Sequence, residues 1–184
     1  MNKTLDPRFI RTRNLIMEAF IKLTMERDFK NIKIEDITKE ATINRASFYY
    51  HFKDKYDLLE QVMDEKIQTD VIHSIDNYTP LNIDTISSIY DSIVSFLFAM
   101  TTQCRPSYRE FMPTIEKILK EKLINTFDTL QGNSTSSGNV CSVMISWSLF
   151  GAIKHYINHS NYLERETYKN NVLSYIRNGM LAAY

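Results

Sequence analysis

Twelve positions from Asn44 to Lys55 gather the side chains of this chain best suited to act on another molecule: Arg45, Ser47, Tyr49, Tyr50, His51, Lys53 and Lys55, with a small Ala46 among them. An arginine fork can donate two parallel hydrogen bonds to the edge of a guanine. A serine hydroxyl can donate or accept, and an alanine can touch a thymine methyl or let the backbone approach. Lysines suit phosphate oxygens, which fix position without reading sequence. The chemistry this set points to is hydrogen bonding to duplex DNA. An enzyme is not expected: the chain has no nucleophile–base pairing, glycine-rich phosphate loop or paired-carboxylate motif, and its four histidines are scattered.

Such side chains need a short helix held rigidly by its neighbours. Asn44 is a favoured N-cap, because its side-chain oxygen can accept an orphan amide of the first turn. The spacing thus predicts a helix from Arg45 to about His51. Before it a helix is expected over about Ile34 to Ala41, with Ile34, Ile37 and Ala41 inward, and Thr42-Ile43 forms the tight turn between the two. A first helix is expected from Pro7, where a missing amide costs little, to about Asp28. Ile16, Ala19, Phe20 and Leu23 share one of its faces, and Phe29 plugs the core. Asp54 caps a long fourth helix reaching about Asn77.

Two short helices joined by a tight turn are the arrangement in which the second helix enters the major groove. Within that helix Tyr49 and Tyr50 diverge by about 100°, so they cannot both be core. Either one is a core aromatic and the other a surface ring, or at least one meets DNA. His51 suits a phosphate contact or the capping of the helix end. Lys53 and Lys55 are expected on phosphate, with a solvated pair as the plain alternative. Thr12 with Arg11, and Lys33 before the second helix, are further phosphate candidates.

With 43% hydrophobic and 24% charged residues the 184-residue chain falls in the ordinary globular class. Four Gly and four Pro, with apolar residues at helical spacing, favour an all-α fold of about nine helices. A net charge of zero argues against binding by charge alone. The distribution is uneven: residues 1–13 carry Lys3, Arg8, Arg11 and Arg13 against Asp6, whereas residues 61–184 carry ten basic and twelve acidic side chains. No run approaches 18 uncharged apolar residues, since Ile86 to Cys104 is broken by Asp91, and the N-terminus lacks the apolar stretch of a signal peptide. Cys104 and Cys141 form no motif. A cytoplasmic protein with no membrane partner and no cofactor is expected.

Residues 8–59 resemble the N-terminal domain of the TetR family of bacterial transcriptional regulators. The matching pieces are RTRNLIMEAF (11–20), the Phe29-x-x-Ile32 turn, EDITKEA (35–41) and above all ASFYYHFKDKYDLL (46–59), which holds the Tyr-x-His-Phe-x-x-Lys-x-x-Leu pattern on Tyr49, His51, Phe52, Lys55 and Leu58. The chain departs from the family where Ala-Gly-Val-Ser is frequent at the turn: Ala41-Thr42-Ile43-Asn44 puts a β-branched residue in place of glycine. The segment GAIKHYINHS (151–160) is similar to a branch of the family that includes regulators of dihydroxyacetone kinase control. The resemblance implies a helix-turn-helix DNA-binding domain over 1–53 and a helical ligand-binding and dimerisation domain over 54–184. It also implies that the last two helices pair with a second copy and that the middle helices enclose an effector cavity.

The C-terminal half is rich in aromatic and thioether side chains, as a mainly apolar small-molecule site requires and as an ordinary helical core would also be. Tyr90, Tyr108 and Trp147 join a large ring to a polar handle, and with His73 and His155 they are the ligand candidates. His155 and His159 share a helix face but lack a third ligand, so no metal is expected. Pro113 is expected to divide a short helix from a longer one ending near Leu130, and GNSTSSGN (132–139) reads as a loop. Val140, Val143, Met144, Trp147 and Gly151 form one stripe, and Tyr168, Val172, Tyr175, Ile176 and Met180 another. Val143, Met144, Trp147, Val172 and Ile176 are the interface candidates, unless both stripes are buried within one subunit. The function expected is a homodimeric, sequence-specific DNA-binding transcriptional regulator, a repressor released by a small-molecule effector. The alternative is the same fold acting through a partner protein, docked at the 132–139 loop or the Pro106–Pro113 region, with no small effector.

Overall fold

A computed structural model describes residues 6–73, 75, 81–131, 140–159 and 164–182. The described residues form eight α-helices and no strand: α1 (Pro7–Glu26), α2 (Ile34–Glu40), α3 (Arg45–His51), α4 (Lys55–Ile67), α5 (Ile83–Gln103), α6 (Tyr108–Leu130), α7 (Val140–His159) and α8 (Arg165–Ala182). Lys3, residues 76–80, the stretch 132–139 and Ala183 lie outside the described residues.

The helix expected to break at Pro113 does not break. α6 continues from Tyr108 to Leu130 with Pro113 inside it. Proline near a helix start gives up a single backbone bond, and its ring meets only the first turn. The region Pro106–Pro113 is thus the end of a four-residue turn over 104–107 and the start of a continuous helix. The fourth helix also stops short of Asn77. After Ile67 the backbone widens into a π turn over Gln68–Ile72, closed by the His73 amide donating to the Gln68 carbonyl at 2.8 Å.

The chain divides into two compact units, one of residues 1–64 with 100–114, the other of residues 65–99 with 115–184, and it passes between them within α4, α5 and α6. In the first unit Asp6 accepts from the Arg8 amide at 2.9 Å and caps α1 ahead of Pro7. Ile16, Ala19, Phe20 and Leu23 are buried on one face of α1. Phe29, in a single 3-10 turn, sets its ring edge-on against Phe20 and Phe111, at 5.9 and 5.5 Å between centroids.

In the second unit, Ile86, Ile89, Tyr90, Ile93 and Leu97 of α5 are buried, as are Ile115, Ile118, Leu119, Leu123 and Phe127 of α6. Glu116 joins two helices, accepting from Lys120 at 2.7 Å and from Lys154 at 2.8 Å. Those two ammonium groups hold its carboxyl below the usual carboxylate range. By mean hydropathy α5 and α7 each contain an 18-residue window apolar enough to cross a membrane, a point the count of unbroken apolar runs missed. Half of the α5 window is buried inside the protein, however, as a core helix requires.

The turn between α2 and α3 holds the one backbone outlier of the described residues: Thr42 has φ of 55°. Its amide donates to the Lys39 carbonyl at 3.2 Å and the following Ile43 amide to Thr38 at 3.0 Å, so the left-handed conformation is imposed by the turn's hydrogen bonds. A β-branched residue is strained there, whereas glycine is not. Thr42→Gly is therefore expected to raise stability by about 0.5–1 kcal/mol, the relief of strain exceeding the entropy gained by the unfolded chain. Urea unfolding checks this; a lowered midpoint would show that the threonine fits the turn better than its φ implies.

Candidate nucleic-acid interface

α3 is seven residues long and owes its position to two rings on one side. Phe48 and Phe52 are buried, 5.9 Å apart between centroids. Asn44 caps the helix, accepting from the Ser47 amide at 2.8 Å. At the other end Asp54 accepts from the amides of Tyr56 and Asp57, and Asp57 accepts from the Lys53 amide, each at 2.8 Å. Both junctions of α3 are thus closed by side chains.

With that side fixed, the opposite side faces solvent. Arg45 and Ala46 are exposed, Tyr49 and Tyr50 are 47% and 55% exposed, and Ser47 is half-buried at the edge. Neither tyrosine is core. Arg45 donates from Nη2 to the Tyr49 hydroxyl at 3.1 Å, and its guanidinium lies 5.6 Å from the Tyr49 ring centroid. That hydroxyl raises the pKa of Arg45 further above its ordinary value. Tyr50 turns the other way, edge-on to Phe9 of α1 at 5.7 Å. Lys33 and Lys53 have exposed side chains flanking this face in sequence; the Lys33 amide donates to Asp36 at 2.8 Å and opens α2.

Three expected contacts are directed elsewhere. The Lys55 ammonium donates to the carbonyls of Phe29 and Ile32 at 3.0 Å and of Lys30 at 3.3 Å, and sits 4.5 Å from the Phe29 ring centroid. Its three protons satisfy the carbonyl end of the 3-10 turn, so it holds the fold rather than reaching for phosphate. His51 packs its ring 4.3 Å from Phe9, and its buried Nδ1 has no partner. Burial first, and then the charge of Arg13, lower its pKa from the ordinary value. It therefore favours the neutral form and faces α1. The Thr12 hydroxyl donates to the Arg8 carbonyl one turn back at 3.0 Å. Arg13, counted with the basic N-terminus, is also turned inward: it donates to Gln61 at 2.9 Å and lies 5.6 Å from the Phe52 ring centroid. Phe9, which seats both Tyr50 and His51, carries no polar signal and escaped the sequence reading.

This geometry matches a known group of proteins. The sequence model for bacterial regulatory proteins of the tetR family matches residues 16–62, the segment from mid-α1 through α3 and into α4. Residues 16–62 are thus similar to the N-terminal domain of TetR-family regulators. An uncharacterised HTH-type transcriptional regulator of Bacillus subtilis, YxbF, is 37% identical over 78 residues, covering 42% of this chain and 20% of that protein. A second uncharacterised HTH-type regulator, from Haemophilus influenzae, is 38% identical over 53 residues, covering 29% of this chain and 26% of its own length. The chain thus spans about a fifth to a quarter of the length of these relatives. In fold it is similar to a transcriptional regulator from Pseudomonas aeruginosa PAO1, with a TM-score of 0.60 at 11% identity over 99% of this chain and 95% of that one. It is also similar to FadR from Bacillus subtilis, solved with stearoyl-CoA, with a TM-score of 0.52 at 17% identity over 90% and 97%.

The five ligand candidates differ in exposure and are divided between the two units. Tyr108 belongs to the first unit and is half-buried, with its hydroxyl pushed up by burial. His73 and His155 are exposed; His155 stacks on His159 with centroids 4.4 Å apart. Trp147 is also exposed, its ring 4.8 Å from the Lys120 ammonium. Only Tyr90 is fully buried. Aromatic character on a helix records size and apolarity, not direction, and four of the five point outward or lie in the other unit. Among the interface candidates Met144 and Trp147 are exposed and Val143 and Val172 half-buried, while Ile176 is buried within its own subunit.

Two outcomes follow. Lys55→Met is expected to cost about 2–3 kcal/mol by leaving carbonyls of the turn unpaired, and to leave the salt slope of DNA binding unchanged. A variant of unaltered melting temperature with a flatter salt slope would return Lys55 to the phosphate. For His51 the folded pKa lies below its ordinary 6.5, so on acidification the unfolded chain binds the proton first. Its contribution is whole above about pH 6.5 and shrinks as the pH falls below it. Melting temperature followed from pH 7.5 to 5 is expected to fall less steeply in His51→Gln than in the parent. Equal slopes would remove His51 as the cause.

Proposed function

We propose that this protein is a homodimeric, sequence-specific DNA-binding transcriptional regulator of the cytoplasm, a repressor released by a small-molecule effector. The exposed face of α3 carries the reading: Arg45, Ala46, Tyr49 and Tyr50 stand in solvent on a helix whose other side is fixed by Phe48 and Phe52. Arg45 and Ser47 supply donors for base edges, Ala46 permits close approach, and the exposed Lys33 and Lys53 supply charge for phosphate.

One seven-residue helix reads only a few base pairs, so a second copy is required for useful specificity. The surface of α7 and α8 suits that copy. Val140, Met144, Trp147 and Tyr175 are 74%, 57%, 57% and 70% exposed, a cluster of large apolar side chains that a lone subunit leaves in water. Between the helices lies a groove of about 510 Å³ lined by Cys141, Met144, Tyr175 and Met180 among others. Gly151 and Gly179 leave open space where a side chain would stand. Helix pairs from two subunits would close this face as a four-helix bundle.

For the effector, the Tyr90 hydroxyl supports the reading. It is fully buried and has no hydrogen-bond partner, and burial foremost pushes its pKa up to about 12, so it stays a neutral donor. An unpaired buried hydroxyl is destabilising, and a bound molecule offering one acceptor would relieve it. Such a molecule releases DNA only if it prefers the conformation in which the two recognition helices no longer match their half-sites.

Duplexes selected by the protein from a random library, titrated by fluorescence anisotropy at several salt concentrations, test the DNA reading. A preference of about 10³-fold or more over unselected DNA is expected; equal binding at every salt would defeat it. Met144→Arg is expected to give a monomer in light scattering that folds normally and loses the preference. A variant that remains dimeric would move the interface elsewhere. A metabolite that releases the parent but not Tyr90→Phe from the selected duplex is the expected effector; equal release of both would place its contacts on other residues.

A further inference from the structure

The exposed tyrosines of α3 are adjacent in sequence but differ in what they touch. Tyr50 leans on Phe9. Tyr49 sets its ring edge-on against buried Phe48, at 5.6 Å and 90°. It also accepts the Nη2 hydrogen bond of Arg45 at 3.1 Å while its ring lies 5.6 Å from the guanidinium. A chain of contacts therefore runs from the core through an aromatic ring to the group best able to read a guanine. Arg45 and Tyr49 stand four residues apart, the spacing at which side chains on a helix surface meet.

An exposed arginine ordinarily loses about 2 kcal/mol of rotamer freedom when it is fixed. Contacts that fix it beforehand reduce what is lost on binding. Tyr49 supplies two at once, an acceptor and a ring face, and leaves the other guanidinium donors available for a base. Resting on the DNA reading above, we propose that Tyr49 is a positioning residue for base readout: it holds Arg45 oriented, so that preference at one base pair of each half-site depends on both side chains. This differs from a phosphate contact, which would make Tyr49 matter equally for every sequence.

The test uses the full-length protein and a duplex it has itself selected, with single base-pair changes introduced in turn. Binding is measured for the parent, Arg45→Ala, Tyr49→Phe, Tyr50→Phe and the Arg45→Ala/Tyr49→Phe double variant. Tyr49→Phe keeps the ring on Phe48, so the fold is retained and only the hydroxyl is lost. Arg45→Ala is expected to flatten preference at one base pair. Tyr49→Phe is expected to reduce preference at that same pair by about threefold to tenfold, the worth of one hydrogen bond, with the salt slope unchanged. The double variant is expected to be no flatter there than Arg45→Ala alone, as coupled residues require. The proposal is overturned if Tyr49→Phe weakens all duplexes alike with a flatter salt slope, if it changes nothing, or if Tyr50→Phe costs the same preference. Failure of the parent to select any sequence would sink the DNA reading itself. A parent that selects while Tyr49→Phe is silent at the Arg45 pair would remove only the positioning role.

Discussion

A seven-residue helix cannot hold itself. Two turns carry too few backbone hydrogen bonds to offset the ordering of their residues, so α3 exists only because Phe48 and Phe52 are buried on one side. The rest of the first unit serves that burial. α1 packs against α2 and α3, Phe29 sets its ring against Phe20 and Phe111, and Lys55 satisfies the carbonyls of the turn that carries Phe29. Asn44 and Asp54 close the two junctions of α3. The exposed face is then rigid by construction, which is what a base-reading surface needs. Thr42, at φ of 55°, shows that the turn geometry outweighs a local preference of about 1–2 kcal/mol.

What could be read from the sequence follows from where a single interaction decides the outcome. The inward face of α1 was legible because apolar residues at three- and four-residue steps have one way to leave water. The Asn44 cap was legible because the preference is local and strong. The ending of α4 was not, since the π turn at Gln68–Ile72 depends on packing that no spacing records. Nor was Pro113, whose cost depends on how close it lies to a helix start. In the site, Arg45 and Ala46 were placed on the helix by the pattern; Lys55 was expected on phosphate and His51 on phosphate or the helix end, while Arg13 was only counted with the basic N-terminus. Each proved to have a partner distant in sequence: Phe29 for Lys55, Phe9 for His51, Gln61 and Phe52 for Arg13. A charged side chain near a binding face has two outlets, and composition cannot choose between them.

α7 illustrates the same limit for apolar residues. Its sequence is apolar nearly all round, so two stripes compete. The buried one runs through Ser142, Ile145, Ser146, Leu149, Phe150, Ile153 and Tyr156 and includes two serines, while the stripe of Val140, Met144 and Trp147 stays in water. Ser146 is tolerated inside because its hydroxyl donates to the Ser142 carbonyl at 2.7 Å. Small residues on the inward face also let helices approach closely, while Met144 and Trp147 are left on the outward face. That outcome costs a lone subunit exposed apolar area, and it makes sense where a second surface covers it.

The inward use of Arg13 and Lys55 bears on how such a protein would hold DNA. Two basic side chains of the N-terminal region, Arg13 and Lys55, are committed to the fold, and the chain as a whole carries no net charge. Arg8, Arg11, Lys33, Lys39, Arg45 and Lys53 are among those left exposed. Affinity from counterion release scales with the number of phosphates neutralised, so a surface with few free cations binds arbitrary DNA weakly. Discrimination then rests on the few donors that reach base edges and on having two copies of them at fixed spacing. A binder of that kind gains from orienting each donor in advance, because it has no surplus of charge to compensate for a poorly placed one. The pairing of Arg45 with Tyr49 on a ring anchored to the core is the feature such a binder needs.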